Sequence, residues 1–134
     1  MSVTLVDSNI ILDIVTNDLH WITWSSEALA TAANEGIIGI NPIIYAEVSI
    51  GFEKIEVLEE TLPSSIFQRF PLPWEAGFLA GKCFIKYKQQ GGKRHSPLPD
   101  FYIGAHAAIE NFTLLTRDVS RYRTYFPTLK IIAP

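Results

Sequence analysis

The sequence predicts an α/β domain, a central parallel sheet flanked by helices, and three observations carry that prediction. Short β-branched and apolar runs, Val3 to Val6, Ile37 to Ile40 and Phe112 to Thr116, each end abruptly in polar residues. Each is then followed by residues that start a helix or a helical turn, and apolar runs in this rhythm mark a parallel sheet whose faces are covered by helices. Finally, 48% hydrophobic against 19% charged residues in a chain of 134 suits a single compact core, so residues 1–134 read as one domain.

Val3 to Val6 form the first strand and deliver Asp7 to its end, after which Ser8 and Asn9 are capping types. Ile10, Ile11, Ile14 and Val15 then fall at helical spacing. After Thr16-Asn17-Asp18 a second helix spans about His20 to Glu35, with Trp21, Trp24, Ala28 and Ala32 on one stripe and Gly36 as its stop. Ile37 to Ile40 is the next strand, with Asn41 as cap and Pro42 in the first helical position. In the helix that follows, Glu47 shares a face with Ile43, Ile44 and Ile50, which sets a carboxylate among residues expected to be buried.

Residues Gly51 to Leu62 read as a solvated amphipathic helix, with Phe52, Ile55, Leu58 and Leu62 set against Glu53, Glu56, Glu59 and Glu60. Pro63 to Pro73 reads as a connector. A long helix covers Trp74 to Gln90, and a basic loop, Lys93 to Pro97, leads to a helix opened by Asp100, whose Ile103, Gly104, Ala107 and Ala108 form a packing face. Phe112 to Thr116 is the best strand of the C-terminal half. It runs into Arg117-Asp118, a helical turn from Val119 to Phe126, and a last strand at Lys130 to Ile132.

The bulk properties narrow the function. A net charge of −3 provides no global attraction for nucleic acid, so a polyanion would have to be held by a local patch or through cations. Cys83 is the only cysteine, which excludes an internal disulfide and suits a reducing compartment. No basic segment precedes the first apolar run, and the longest apolar stretch, around Gly36 to Val48, is broken by Asn41, Pro42 and Glu47. The expectation is therefore a cytoplasmic protein without a signal peptide or membrane span.

Four of the fourteen acids stand out by local context: Asp7 and Asp118 at strand ends, Glu47 and Asp100 on inward helix faces. In a doubly wound parallel sheet, strand C-termini and the helix starts that follow them share one edge, so the four can converge. Clustered carboxylates repel unless a cation is present, and an all-oxygen donor set favours Mg²⁺ or Mn²⁺ over zinc. Such a site suits phosphodiester hydrolysis. Arg94, Arg117 and Arg121, with Lys93, His95 and Arg123, flank the C-terminal acids and are the candidates for contacting the phosphates of a polyanionic substrate. No histidine is assigned a catalytic role.

Leu5-Val6-Asp7-Ser8-Asn9, Ala46-Glu47-Val48, Pro99-Asp100-Phe101-Tyr102-Ile103-Gly104-Ala105-His106-Ala107 and Leu114-Leu115-Thr116-Arg117-Asp118, in that order and spacing, resemble the PIN-domain ribonucleases, in particular the VapC-type toxins of bacterial and archaeal toxin–antitoxin pairs. The resemblance implies a metal-dependent endoribonuclease. By position, Asp7 and Asp100 would be metal ligands, with Glu47 and Asp118 completing the pocket directly or through water. Asn9 and Thr116 fall where the family places small polar side chains that orient water or a carboxylate. Asn111 stands where many relatives have glycine, and asparagine tolerates the left-handed turn required there.

The family also implies an antitoxin partner and a second copy of the chain, with Phe52, Ile55, Leu58 and the Trp21/Trp24 stripe as walls of an antitoxin groove. Two alternatives compete: an aspartate-based phosphatase or phosphotransferase, and a catalytically silent domain that binds RNA or protein.

Overall fold

The computed structural model describes residues 2–134. Its elements in chain order are β1 (Val3–Val6), α1 (Ser8–Val15), α2 (Ile22–Glu35), β2 (Ile37–Ile40), α3 (Pro42–Ser49), α4 (Ile55–Thr61), β3 (Phe67–Arg69), α5 (Trp74–Gln89), α6 (Pro99–Glu110), β4 (Thr113–Leu115), α7 (Ser120–Tyr125) and β5 (Ile131–Ile132). The strands form one sheet in the order β3-β2-β1-β4-β5, and every pairing is parallel. The α/β class and the central parallel sheet expected from the sequence are both present.

The strand order has a functional consequence. From β1 the chain builds outward on one side through β2 and β3, then returns to place β4 on the other side of β1. The crevice between β1 and β4 is thus the topological switch point, where the connections diverge and leave room beyond the strand ends. Leu5 pairs with Leu114 and Val6 with Leu115, so Asp7 leaves β1 where Thr116 leaves β4. The Asp7 amide donates to the Leu115 carbonyl at 2.9 Å and ties the two exits together.

Leu5, Val6, Ile40, Ile44, Leu114 and Leu115 are fully buried and, with Phe101 and Ile103 of α6, make the core that holds this edge in place. Truncating any of the leucines to alanine would cost about 2–5 kcal/mol. The caps follow the residue types that predicted them. Asp7 accepts from the Ser8 amide to start α1, and Asn41 accepts from the Ile44 amide to start α3. Asn111 ends α6 at φ 58°, the left-handed position foreseen for it.

Three local expectations are corrected. Pro63 to Pro73 is more than a connector, because it contains β3, whose register sets Ile38 beside Phe67 and Ile40 beside Arg69. Three residues with a single buried side chain carry too little pattern to announce a strand; pairing to β2 creates it. Ile50 is 86% exposed and does not share a buried face with Ile44, because α3 ends at Ser49 and the chain turns outward. Ile55 is also exposed, so α4 packs through Leu58 and, just past its end, Leu62.

Candidate active site

The site is built at the carboxyl edge of β1 and β4. Asp7 is 3% exposed, with every oxygen engaged. Its Oδ1 accepts from the Ser8 amide at 2.8 Å, and its Oδ2 accepts from the hydroxyls of Thr116 and Tyr122, each at 2.9 Å. Glu47, half-buried on α3, accepts from the Ser8 hydroxyl at 2.9 Å through Oε1. Ser8 therefore links the first strand exit to the third helix. Asp100, in the first turn of α6, lies with Oδ1 3.3 Å from the Tyr122 hydroxyl and Oδ2 3.2 Å from the Arg121 guanidinium.

Asn9 braces this arrangement from the α1 side. Its Nδ2 donates to Thr116 Oγ1 at 3.2 Å, and its Oδ1 accepts from the Arg117 amide at 3.2 Å. Thr116 is fully buried, and its hydroxyl is pinned between Asn9 and Asp7. Asp118 behaves differently from the other three acids. It is exposed, its Oδ1 accepts from the Ser120 amide and hydroxyl, and its backbone folds around the Thr116 hydroxyl. Its carboxylate makes no hydrogen bond to Asp7, Glu47, Asp100 or their shared partners.

Residues 4–127 match the family model described as PIN domain. The chain belongs to the PIN domain family. Solved structures similar to this PIN domain include a chain of VapBC2 from Rickettsia felis, in a complex bound to a DNA fragment from their promoter. It is 21% identical, with 98% of each chain covered and a TM-score of 0.74. VapBC-1 from nontypeable Haemophilus influenzae (19% identical, 98% of this chain and 97% of that one, TM-score 0.73) and FitAcB from Neisseria gonorrhoeae (20%, 96% of each, TM-score 0.71) share the same fold. No curated protein matches the chain by sequence.

Electrostatics of this PIN domain concentrate on the buried acids. Burial pushes the Asp7 carboxyl up to about 6 and the neighbouring Asp100 adds to the rise, against the opposing hydrogen bonds from Thr116, Tyr122 and Ser8. Burial also raises Glu47, with Asp7 and Asp100 contributing repulsion. Both shifts describe carboxylates short of positive charge. A hard divalent cation fits that deficit and the all-oxygen donor set. Among the described residues, however, no three carboxylate, imidazole or thiol groups stand close enough to enclose an ion, so the acids outline a pocket and not a finished cage.

Sequence reasoning missed the site roles of Ser8, seen there only as a capping type, and of Tyr122. Tyr122 is 1% exposed, its hydroxyl spans Asp7 and Asp100, and its pKa lies well above the ordinary tyrosine range because burial and the surrounding carboxylates disfavour a phenolate. The available signal was an aromatic four residues after Asp118 on a predicted helical turn, which packing alone would explain.

The arginines divide. Arg94 lies on the exposed loop, where its amide meets the Tyr87 hydroxyl at 3.3 Å. Arg121 is held by Asp100. Arg117 makes a two-pronged ion pair with the buried Asp13, at 2.8 and 3.0 Å, and lies over the Trp21 ring. Its guanidinium is thus occupied away from the acids. His106 is buried beside Asn41, 3.0 Å from its Nδ2, and burial lowers its pKa, which keeps it a neutral packing residue.

Proposed function

We propose that this chain is a Mg²⁺- or Mn²⁺-dependent endoribonuclease that hydrolyses RNA phosphodiester bonds, acting in the cytoplasm as the toxin of a toxin–antitoxin pair. The observation that carries this reading is the convergence of Asp7, Glu47 and Asp100 at the switch point. Among the described residues, Arg121 is the one cationic side chain hydrogen-bonded to any of the three. Asp7 and Asp100 are the residues to hold the cation, with Glu47 and Asp118 reached directly or through water. When bound, the cation lowers the pKa of water and offsets the charge that develops on the phosphate.

The chain's own groups supply the rest. Ser8 fixes Glu47 Oε1, leaving Oε2 to accept the proton of the attacking water, a task that a raised carboxyl pKa favours. Thr116 and Asn9 hold Asp7 in one rotamer. Arg94 and Arg121 are the groups to meet RNA phosphates, with Arg117 able to contribute only by leaving Asp13. Aspartate-based phosphotransfer has less support: the partners of Asp7 are Ser8, Thr116 and Tyr122, and none is a lysine.

RNA incubated with the protein should be cut only when Mg²⁺ or Mn²⁺ is added, and Asp7→Asn and Asp100→Asn should each stop the cutting. Thermal unfolding offers a readout independent of activity, since Mn²⁺ should raise Tm for the parent and not for Asp7→Asn. Absence of metal-dependent cleavage, or cleavage surviving both substitutions, overturns the reading.

A further similar chain comes from a toxin–antitoxin complex from Klebsiella pneumoniae, which supports an antitoxin partner for this chain. The shallow groove of about 270 Å³ beside Phe52, Ile55 and Leu58 is the surface to receive it. A homodimer is supported by α5, where Trp74 (92% exposed), Phe78 and Ile85 form one apolar stripe. Gly77 and Gly81 lie between them, with open space where a Cβ would be. Light scattering should find a dimer that Phe78→Glu converts to monomer.

A further inference from the structure

A cavity of about 340 Å³ opens at the carboxyl ends of β2 and β3, lined by Asn41, Pro42, Tyr45, Arg69, Phe70 and Pro71. None of these residues takes part in the acidic pocket, yet the sheet places them in line with it. Leu5 pairs with Gly39 and Ile40 with Arg69, so continuing the register sets Asp7 beside Asn41 and Asn41 beside Phe70. The Phe70 amide donates to the Ile40 carbonyl at 2.9 Å, which carries the pairing to that row. With strands about 4.8 Å apart, the cavity begins one strand from Asp7 and ends two strands away. That is the span of neighbouring nucleotide units, not of a remote surface.

Its walls are aromatic, flat and held. Tyr45 and Glu47 leave α3 on opposite sides, two residues apart on a helix. Glu47 meets Ser8 at β1, whereas Tyr45 turns toward β3. There the Tyr45 hydroxyl donates to Glu59 Oε2 at 2.7 Å, and Arg69 donates to the same oxygen at 2.7 Å while its guanidinium lies 5.4 Å from the Tyr45 ring centroid. Phe70 lies over Gly39, where any Cβ would collide with its ring, and against Phe112. These side chains are ordered by their own contacts, so a ligand entering the cavity would not have to order them. Arg69 keeps much of its side chain in solvent at the rim, and its pairing with the equally exposed Glu59 is a surface ion pair that a phosphate can compete for.

We propose that this cavity is a nucleobase subsite, which takes one base of single-stranded RNA next to the phosphodiester presented to Asp7, stacking it against Tyr45 and Phe70 with Arg69 toward the adjoining phosphate. The proposal rests on the nuclease reading and adds to it where the neighbouring base is held; the strand must be unpaired at that point, since a base inside a duplex cannot enter a cleft. It also accounts for how an acidic chain holds RNA. Stacking adds affinity that does not depend on net charge.

The test uses the full-length Asp7→Asn protein and a fluorescein-labelled, single-stranded oligoribonucleotide of mixed sequence carrying thiouridine. Ultraviolet crosslinks should fall on the peptides containing Tyr45 or Phe70. Tyr45→Leu should weaken binding about tenfold, Tyr45→Phe should not, and a strand of equal length without bases should bind the parent about tenfold more weakly and be insensitive to Tyr45→Leu. Should Tyr45→Leu fail to fold, the crosslinks and the baseless strand decide on the unmodified pocket. Binding that stays within twofold for Tyr45→Leu or for the baseless strand, or crosslinks confined to other surfaces, overturns the subsite. The cavity would then be left to a protein side chain, and the nuclease reading would stand. Absence of any RNA binding or cleavage by the parent with Mg²⁺ or Mn²⁺ removes both readings together.

Discussion

Asp7 and Asp118 look alike in sequence, each an acid that follows an apolar strand, and they end in different environments on neighbouring strands. Asp7 comes directly after Val6, so the last strand hydrogen bond also fixes its backbone and its carboxylate is carried down into the β1/β4 crevice. Asp118 comes three residues after Leu115. In that interval the chain turns, Thr116 takes the buried position beside Asp7, and the Asp118 carboxylate is left at the surface with Ser120. Spacing from the strand end, and not residue type, separates a buried charge from a solvated cap.

The largest expected effect that sharpens this contrast is on cleavage. Asp7→Asn should lower the rate by about a thousandfold or more, on the scale of losing a central electrostatic group, while Asp118→Asn should cost less than about tenfold. Initial rates with Mn²⁺ held constant measure both, and equal losses would mean that Asp118 moves inward when substrate binds.

The next effect concerns stability, and its sign is opposite to that of activity. The folded pKa of Asp7 is raised from 3.8 to about 6, so the native state binds the proton more tightly than the unfolded chain. The associated stability is fully present below about pH 4 and is lost as pH rises through about 6. At pH 7 the buried charge costs about 3 kcal/mol. Asp7→Asn should therefore unfold at a higher temperature than the parent at pH 7, with the gap closing by pH 4. Unfolding caused by Asp7→Asn at pH 7 would instead make the carboxylate a structural cap.

Tyr122→Phe comes third. It removes one donor to a buried carboxylate and should destabilise the parent by about 1–3 kcal/mol at pH 7, and less in an Asp7→Asn background, as denaturant titrations of the four proteins would measure. The smallest effect belongs to Asp118→Ala, whose cost of about 0.5–1 kcal/mol would reflect only the lost bonds to Ser120.

Some of this was legible in the residues themselves. The strand at Val3 to Val6, the caps Asp7 and Asn41, the proline opening α3 and the left-handed Asn111 are local effects, written in a few neighbouring positions. Asp7, Glu47 and Asp100 could be picked out because an acid among apolar neighbours is costly wherever it lies. The edge strand β3, the outward turn of Ile50, the pairing of Arg117 with Asp13 and the placement of Tyr122 could not be read in the same way. Each depends on partners 29 to 115 residues distant or on how a chain leaves its helix.

The sequence by itself thus determined four of the five strands and most of the helices, and singled out Asp7 and Glu47 as acids set among apolar neighbours, because propensity, capping and periodicity act over a few residues; it missed the edge strand β3 and the buried Asp13. The tertiary structure alone decided which acids meet. Strand order set β1 beside β4, and with it brought Thr116 and Tyr122 to Asp7 and left the Asp118 carboxylate at the surface beside Ser120. That order follows from burying two faces of one parallel sheet, a requirement of the whole chain that no short stretch expresses.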